Sequence, residues 1–118
     1  MKKLIILIPL LTPIISFAGE CIGGGNVYND LACTSRDLVA SKKELNEIYR
    51  KIYASTQYKD ELDRSQKAWL NYREKECNGY VAAEASQSQG AGPGLIVKDC
   101  LVTITRQRVD YLKRFLER

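Results

Sequence analysis

The sequence contains no histidine among its 118 residues. That absence removes the Ser-His-Asp and Cys-His nucleophile systems and any histidine general base. It also removes the commonest zinc ligand. Catalysis by a pair of carboxylates needs no histidine, so that route stays open. No Gly-Lys-Ser/Thr follows the Gly23-Gly24-Gly25 run, so the glycines do not read as a phosphate loop. The four cysteines include no Cys-x-x-Cys pair of the kind that holds zinc. The sequence motifs imply neither metal nor cofactor. There is no pronounced basic excess either: 18 Lys and Arg face 14 Asp and Glu, a formal charge of +4. A nucleic-acid partner is not expected. What remains is a chain with 45% hydrophobic and 27% charged residues, enough for one folded domain.

A single apolar run covers residues 4–15 and is interrupted by Pro9, Thr12 and Pro13. Met1-Lys2-Lys3 precedes it and Ser16-Phe17-Ala18 follows, the three-part secretory pattern with cleavage after Ala18. A spanning helix needs roughly 20 apolar residues, and this run is shorter and carries two prolines. A lipid anchor on Cys21 requires a small preceding residue, where Glu20 stands. Residues 1–18 are therefore read as a signal peptide, and residues 19–118 as a periplasmic or secreted protein with no membrane insertion after cleavage. Its formal charge is +2, 16 basic residues against 14 acidic.

Cys21, Cys33, Cys77 and Cys100 all lie in the mature part. An even count in a small exported domain reads as two disulfides. Of three possible pairings, Cys21–Cys33 with Cys77–Cys100 is favoured, because each then closes a loop between neighbouring segments. Each loop contributes roughly 3 kcal/mol in the chain-entropy picture.

Residues 19–33 are Gly-rich and polar and read as a loop. Thr34 or Ser35 can cap a first helix with Asp37 in its first turn. Leu38, Leu45, Ile48, Tyr49 and Ile52 then share one face, and Lys42 and Lys43 fall among its solvated positions. A second helix is expected over about 58–80, with Tyr58, Leu62, Trp69, Tyr72, Cys77 and Tyr80 inward. Residues 82–94 read as a flexible loop. A third helix is expected from residue 95 or 96 to 116, with Val97, Cys100, Leu101, Ile104, Tyr111, Leu112 and Phe115 as its apolar stripe. The expected fold is all-α: a small antiparallel three-helix bundle tied by two disulfides, with room for a short extra N-terminal helical turn.

Gln66, Arg73 and Arg108 fall on otherwise apolar faces. A buried guanidinium needs partners, so the three are expected to form an internal polar network, with Glu44, Glu47, Glu76 or Asp110 as candidate carboxylates. Asp60, Glu61 and Asp63, and further on Glu74 and Glu76, read as solvated helix surface rather than catalytic pairs. The loops at 22–30 and 82–95 are the better places for binding residues.

Three blocks resemble a known family. Glu44-Leu45-Asn46-Glu47-Ile48-Tyr49 is similar to its x-L-N-x-x-Y helix. Leu62, Gln66, Ala68, Trp69, Tyr72, Arg73 and Cys77 match an L-x-x-x-Q-x-A-W-x-x-Y-R-x-x-x-C block, and Cys100, Thr105, Arg108 and Leu112 a C-x-x-x-x-T-x-x-R-x-x-x-L block. The order and spacing resemble the LprI-like lysozyme-inhibitor domain of exported bacterial proteins. Where that family carries a Gly-Gly-Ser-like turn, this chain reads Gly90-Ala91-Gly92-Pro93-Gly94. The resemblance implies inhibition by binding, without chemistry. An inhibitor of a glycosidase must fill a cleft that works with two carboxylates, so donors on projecting loops are wanted. Asn26, Tyr28 and Asn29 in the first loop, and Ser86, Ser88 and Lys98 in the second loop region, are the candidates.

The expected function is thus occlusion of a lysozyme or another peptidoglycan-cleaving enzyme, a protein partner. The alternatives are an immunity protein that neutralises a periplasm-acting toxin, a carboxylate hydrolase, and an envelope accessory protein without inhibitory activity.

Overall fold

The structure is a computed structural model that describes Cys21 and residues 25–117. The expected leader, residues 1–18, lies outside the described residues. Four helical elements follow one another: α1 (Val27–Ser55), α2 (Lys59–Lys75), α3 (Ala82–Ala85) and α4 (Gly92–Lys113). A wide π-helical segment, Glu76–Val81, joins α2 to α3 without a break. No strand occurs among the described residues, and no described helix is long and apolar enough to cross a membrane.

α1 and α4 build the core. On α1, Thr34, Leu38, Ser41, Leu45, Ile48 and Ile52 recur at alternating steps of four and three, and all but Leu38 are fully buried. On α4 the matching seam is Leu95, Lys98, Val102, Thr105, Val109 and Leu112, buried except for Lys98. These are heptad seams of the kind that zip two helices along their length. Leu45, Ile48, Ile52, Val109 and Leu112 form one cluster, with Leu62 and Trp69 of α2 packed against it. Cross-links give the helix senses. Lys98 bonds Ser35, Arg106 pairs with Asp37 and Lys113 with Glu44, so α1 and α4 ascend together. Tyr49 bonds Asp63, while Arg108 meets Gln66 and Arg73 meets Thr105, so α2 runs against both.

Several expected boundaries move. α1 starts at Val27, because the Asn26 side chain accepts from the backbone amides of Tyr28 and Asn29 and caps the helix there. Thr34 and Ser35 are interior, each hydroxyl donating to the carbonyl four residues back at 2.8 Å. Asp37 is accordingly mid-helix, facing Arg106 at 3.7 Å, and is no first-turn residue. The second helical run continues to Ala85, and the expected loop at 82–94 contracts to a turn at 86–91. Gly90 bends that turn with φ +70°, a conformation that suits glycine. Pro93 then opens α4, where a missing amide proton costs nothing.

The inward faces shift too. No residue of α2 is fully buried, and Tyr58, Tyr72 and Tyr80 are exposed. Tyr111 and Phe115 are exposed as well, stacked edge to face, while Val102 and Val109 take the core positions of α4. The α4 seam repeats at 95, 102 and 109, a seven-residue step beside the stripe expected from the aromatics.

Both disulfides adopt the expected pairing, Cys21–Cys33 and Cys77–Cys100. The second fastens the π-helical segment to α4, and the first holds Cys21 to the second turn of α1.

Candidate functional site

The parallel register of α1 and α4 places the two candidate loops at one end of the bundle. Asn26 lies nine residues before Ser35 and Gly92 six before Lys98, so from the Lys98–Ser35 bond α1 reaches back about 14 Å and α4 about 9 Å to their starts. At that pole the candidates differ in what their side chains already do. Asn26 Oδ1 is taken up by capping, at 2.9 Å from the Tyr28 amide and 3.4 Å from that of Asn29. Ser86 donates to the carbonyl of Ala83 at 2.6 Å, closing the end of α3. Lys98 donates to Ser35 Oγ at 2.7 Å, half-buried between α1 and α4. Tyr28, Asn29 and Ser88 stand exposed, Tyr28 at 70%. Of the six candidates these last three are the exposed ones with no side-chain bond recorded, whereas Asn26, Ser86 and Lys98 are committed to bonds within the frame.

Gln66, Arg73 and Arg108 converge between α2 and α4. Arg108 Nε donates to Gln66 Oε1 at 3.1 Å and its Nη2 to Ser65 Oγ at 3.2 Å. Arg73 Nη1 donates to the fully buried Thr105 Oγ1 at 2.9 Å. Both guanidinium carbons lie over the Trp69 ring, at 5.0 Å for Arg73 and 5.7 Å for Arg108. The carboxylates proposed from sequence are not the ones used: Glu44 pairs with Lys113, and the arginines meet neutral oxygens and an aromatic face instead. Arginine stacks on aromatics and tolerates this more readily than lysine. Partial burial lowers both arginine pKa values, though not enough to discharge groups of this strength.

Two open grooves flank α2. One, of about 450 Å³, runs between α1 and α2 and is lined by Lys42, Asn46, Tyr49, Asp63, Gln66, Lys67 and Arg73 with Leu45 and Leu70. The other, of about 410 Å³, sits at the opposite pole from the candidate loops, where Tyr58, Tyr111 and Phe115 meet Arg108. Sequence reading missed the first groove, since Lys42 and Lys67 are ordinary solvated helix positions until the helices are assembled.

Three of the acids singled out from the sequence have local partners. Glu61 bonds Arg64 at 3.4 Å, Asp63 accepts from the Tyr49 hydroxyl, and Glu74 accepts from Asn78 at 2.8 Å. Burial raises the pKa of Asp99, and its Oδ1 has no hydrogen-bond partner. Cys21, Cys33 and Asp37 bring three ligand-type atoms within 4.8 Å of one another. Both sulfurs belong to a disulfide, so the trio lacks the thiolates a metal would need.

Comparison with known proteins adds the following. The model of the family described as "Lysozyme inhibitor LprI" matches residues 24–112, which span α1 to the end of the α4 seam. An uncharacterized protein of Rhizobium meliloti (strain 1021) is 29% identical over 102 residues, covering 72% of this chain and 70% of that one. No solved structure matches.

Proposed function

Because the chain belongs to the LprI lysozyme-inhibitor family, we propose that it is an exported binding protein that blocks a lysozyme or another peptidoglycan-cleaving enzyme by filling its cleft. The observation that carries the reading is the family match across residues 24–112, nearly all of the helical core. The two disulfides suit an oxidising compartment. Export runs through residues 1–18, with cleavage after Ala18.

Inhibition here is a matter of shape and donors. The pole formed by the start of α1 and the turn at 86–91 is braced by α1 packed on α4 and by the Cys21–Cys33 disulfide. Such a rigid projection loses little freedom on docking, which favours affinity. Tyr28 supplies a broad amphipathic anchor, while Asn29 and Ser88 supply donors toward a cleft whose working groups are carboxylates. A net charge of +2 gives no long-range attraction to a basic lysozyme, so association is expected to be slower than the electrostatically steered limit.

The test is a peptidoglycan-lysis assay with residues 19–118 added to a panel of animal and bacterial lysozymes, with and without reductant. Dose-dependent inhibition that disappears on reduction, and weakens in Tyr28→Ala, is expected. No inhibition of any enzyme in the panel would overturn the reading.

A further inference from the structure

Asn78-Gly79 is the single Asn-Gly pair of the chain. It stands in the middle of the π-helical segment, directly after the fully buried Cys77, and both of its residues are exposed. The fold makes no demand for glycine at 79. Its φ is not in the left-handed range, and a Cβ built there would meet nothing within 4 Å. A glycine inside a helix weakens it, so this one costs stability without serving a turn or a close approach. What it does supply is an unhindered main-chain nitrogen next to an asparagine carboxamide. Those are the two groups from which a succinimide forms most readily.

The structure holds the two groups apart. Asn78 Nδ2 donates to Glu74 Oε2 at 2.8 Å, one turn back toward the start of the helix. Side chains on a helix lean that way, whereas the Gly79 nitrogen lies on the C-terminal side of Asn78. The carboxamide carbon is thus turned away from the nitrogen that would attack it. The Cys77–Cys100 disulfide fastens the same turn to α4.

We propose that Asn78-Gly79 is a deamidation site held shut by the π-helical segment and the Cys77–Cys100 disulfide, and that opening of the segment commits it to modification. In the opened chain the Gly79 nitrogen gives up its proton and bonds to Asn78 Cγ. The Cγ–Nδ2 bond breaks, and ammonia leaves with that proton. Water then opens the imide at either carbonyl, which yields aspartate or isoaspartate at 78. Water is the only co-reactant. Aspartate sets a second carboxylate against Glu74, a like-charge pair four residues apart where a donor had stood. Isoaspartate lengthens the main chain by one carbon and breaks the helical ladder. Neither product lets the segment close as before, so a transient opening leaves a lasting mark.

The test follows conversion at 78 in the disulfide-bonded protein by peptide mass mapping at neutral pH, folded and in urea. The urea-unfolded chain is expected to convert about tenfold faster or more, since the reaction runs through the open population. Without urea, Cys77→Ala with Cys100→Ala is expected to approach the unfolded rate. Glu74→Ala, an exposed change that frees the carboxamide, is expected to convert about threefold faster than the folded parent. It keeps both disulfides, so it reports on the latch even where the cysteine variant does not fold. Asn78→Asp, which carries one of the products, is expected to admit protease at 76–91 sooner than the parent. Equal rates in the folded and unfolded parent would mean that the segment holds nothing shut. Conversion at 78 no faster than at Asn46 or Asn71 in urea would remove the site. Parent rates in both the Glu74 and the cysteine variants would remove the latch.

Discussion

Arg108 reaches from α4 to α2 and donates its Nε–H to Gln66 Oε1 at 3.1 Å. This bond, with its neighbours around Trp69, does for α2 what aliphatic packing does for α1 and α4. No residue of α2 is fully buried, so the helix is held by half-buried Leu62 and Trp69 and by polar contacts to α4. Gln66→Leu is expected to cost about 1 kcal/mol, the value of a charge-assisted bond discounted for its partial exposure. A double-mutant cycle with Arg108→Leu, read by urea unfolding, should give a coupling of about 0.5–1 kcal/mol. A coupling near zero would mean the two side chains lie together without supporting each other.

Trp69 is the sole tryptophan of the chain and the hub of that contact. Trp69→Ala is expected to destabilise the protein by about 2–3 kcal/mol, less than a fully buried tryptophan because the side chain is only partly buried. Hydrogen exchange should quicken over 59–75 before it does over the buried seam of α4. Uniform quickening of both helices would contradict a separately docked α2.

Asp99 gives a pH signature. Burial raises its pKa above 3.8 in the folded chain, so the folded state holds the proton more tightly than the unfolded one. The stability associated with protonation is complete below about pH 3.8 and lost as pH rises through the folded value. Asp99→Asn should therefore be more stable than the parent at about pH 7, by under ~1 kcal/mol given the partial exposure, and equal to it at about pH 3. A difference that persists in acid would assign the effect to something other than ionisation.

Ser41 sits in the α1 seam at 1% exposure, its hydroxyl returned to the carbonyl of Leu38 at 3.0 Å. Ser41→Leu would complete an aliphatic heptad on paper. In a contact this close it is expected to cost about 1–3 kcal/mol by overpacking, while Ser41→Ala stays within about 1 kcal/mol of the parent. Thermal unfolding of the two variants decides it.

The Cys77–Cys100 disulfide spans 23 residues. Replacing both cysteines by alanine should cost about 3 kcal/mol. Because the link also fastens the π-helical segment, the loss should fray 76–91 first, which limited proteolysis would report as cleavage in that stretch.

The aliphatic part of the fold was legible: Leu45, Ile48, Ile52 and Leu112 announce their faces by spacing alone, and the disulfide pairing follows from segment order. The polar part of the seam was not. Thr34, Ser41 and Thr105 are buried residues with polar names, and nothing in their spacing tells a hydroxyl bonded to its own helix from one facing water. The start of α1 did carry a signal that went unread: Asn26 ahead of Val27, with Asp30 in the first turn. Tyr58, Tyr72, Tyr111 and Phe115 misled because aromatic residues at helical spacing usually mark a core, and here they remain outside. Gln66, Arg73 and Arg108 stood out in the sequence as polar residues on apolar faces, but their partners depend on how the helices are rotated against each other. The cationic groove depends on the same rotation, so it became visible only in three dimensions.

The π-helical segment has a bearing on how relatives of this chain can be aligned. The amide of Ala82 reaches back five residues to the carbonyl of Cys77, one residue more than an α-turn holds. In an unbroken α-helix, Cys77 and Ala85 would point about 80° apart; with one residue absorbed in the wide turn they come to within about 20°. Both are buried, at 0% and 4% exposure. The segment therefore works as a phase corrector. A relative lacking one residue between 76 and 81 would keep both faces by reverting to plain α-helix, and would match this chain only across a one-residue gap. The same gap placed earlier in α2 would turn Trp69, Arg73 or Cys77 away from α4, so insertions and deletions should be tolerated on one side of Cys77 and excluded on the other.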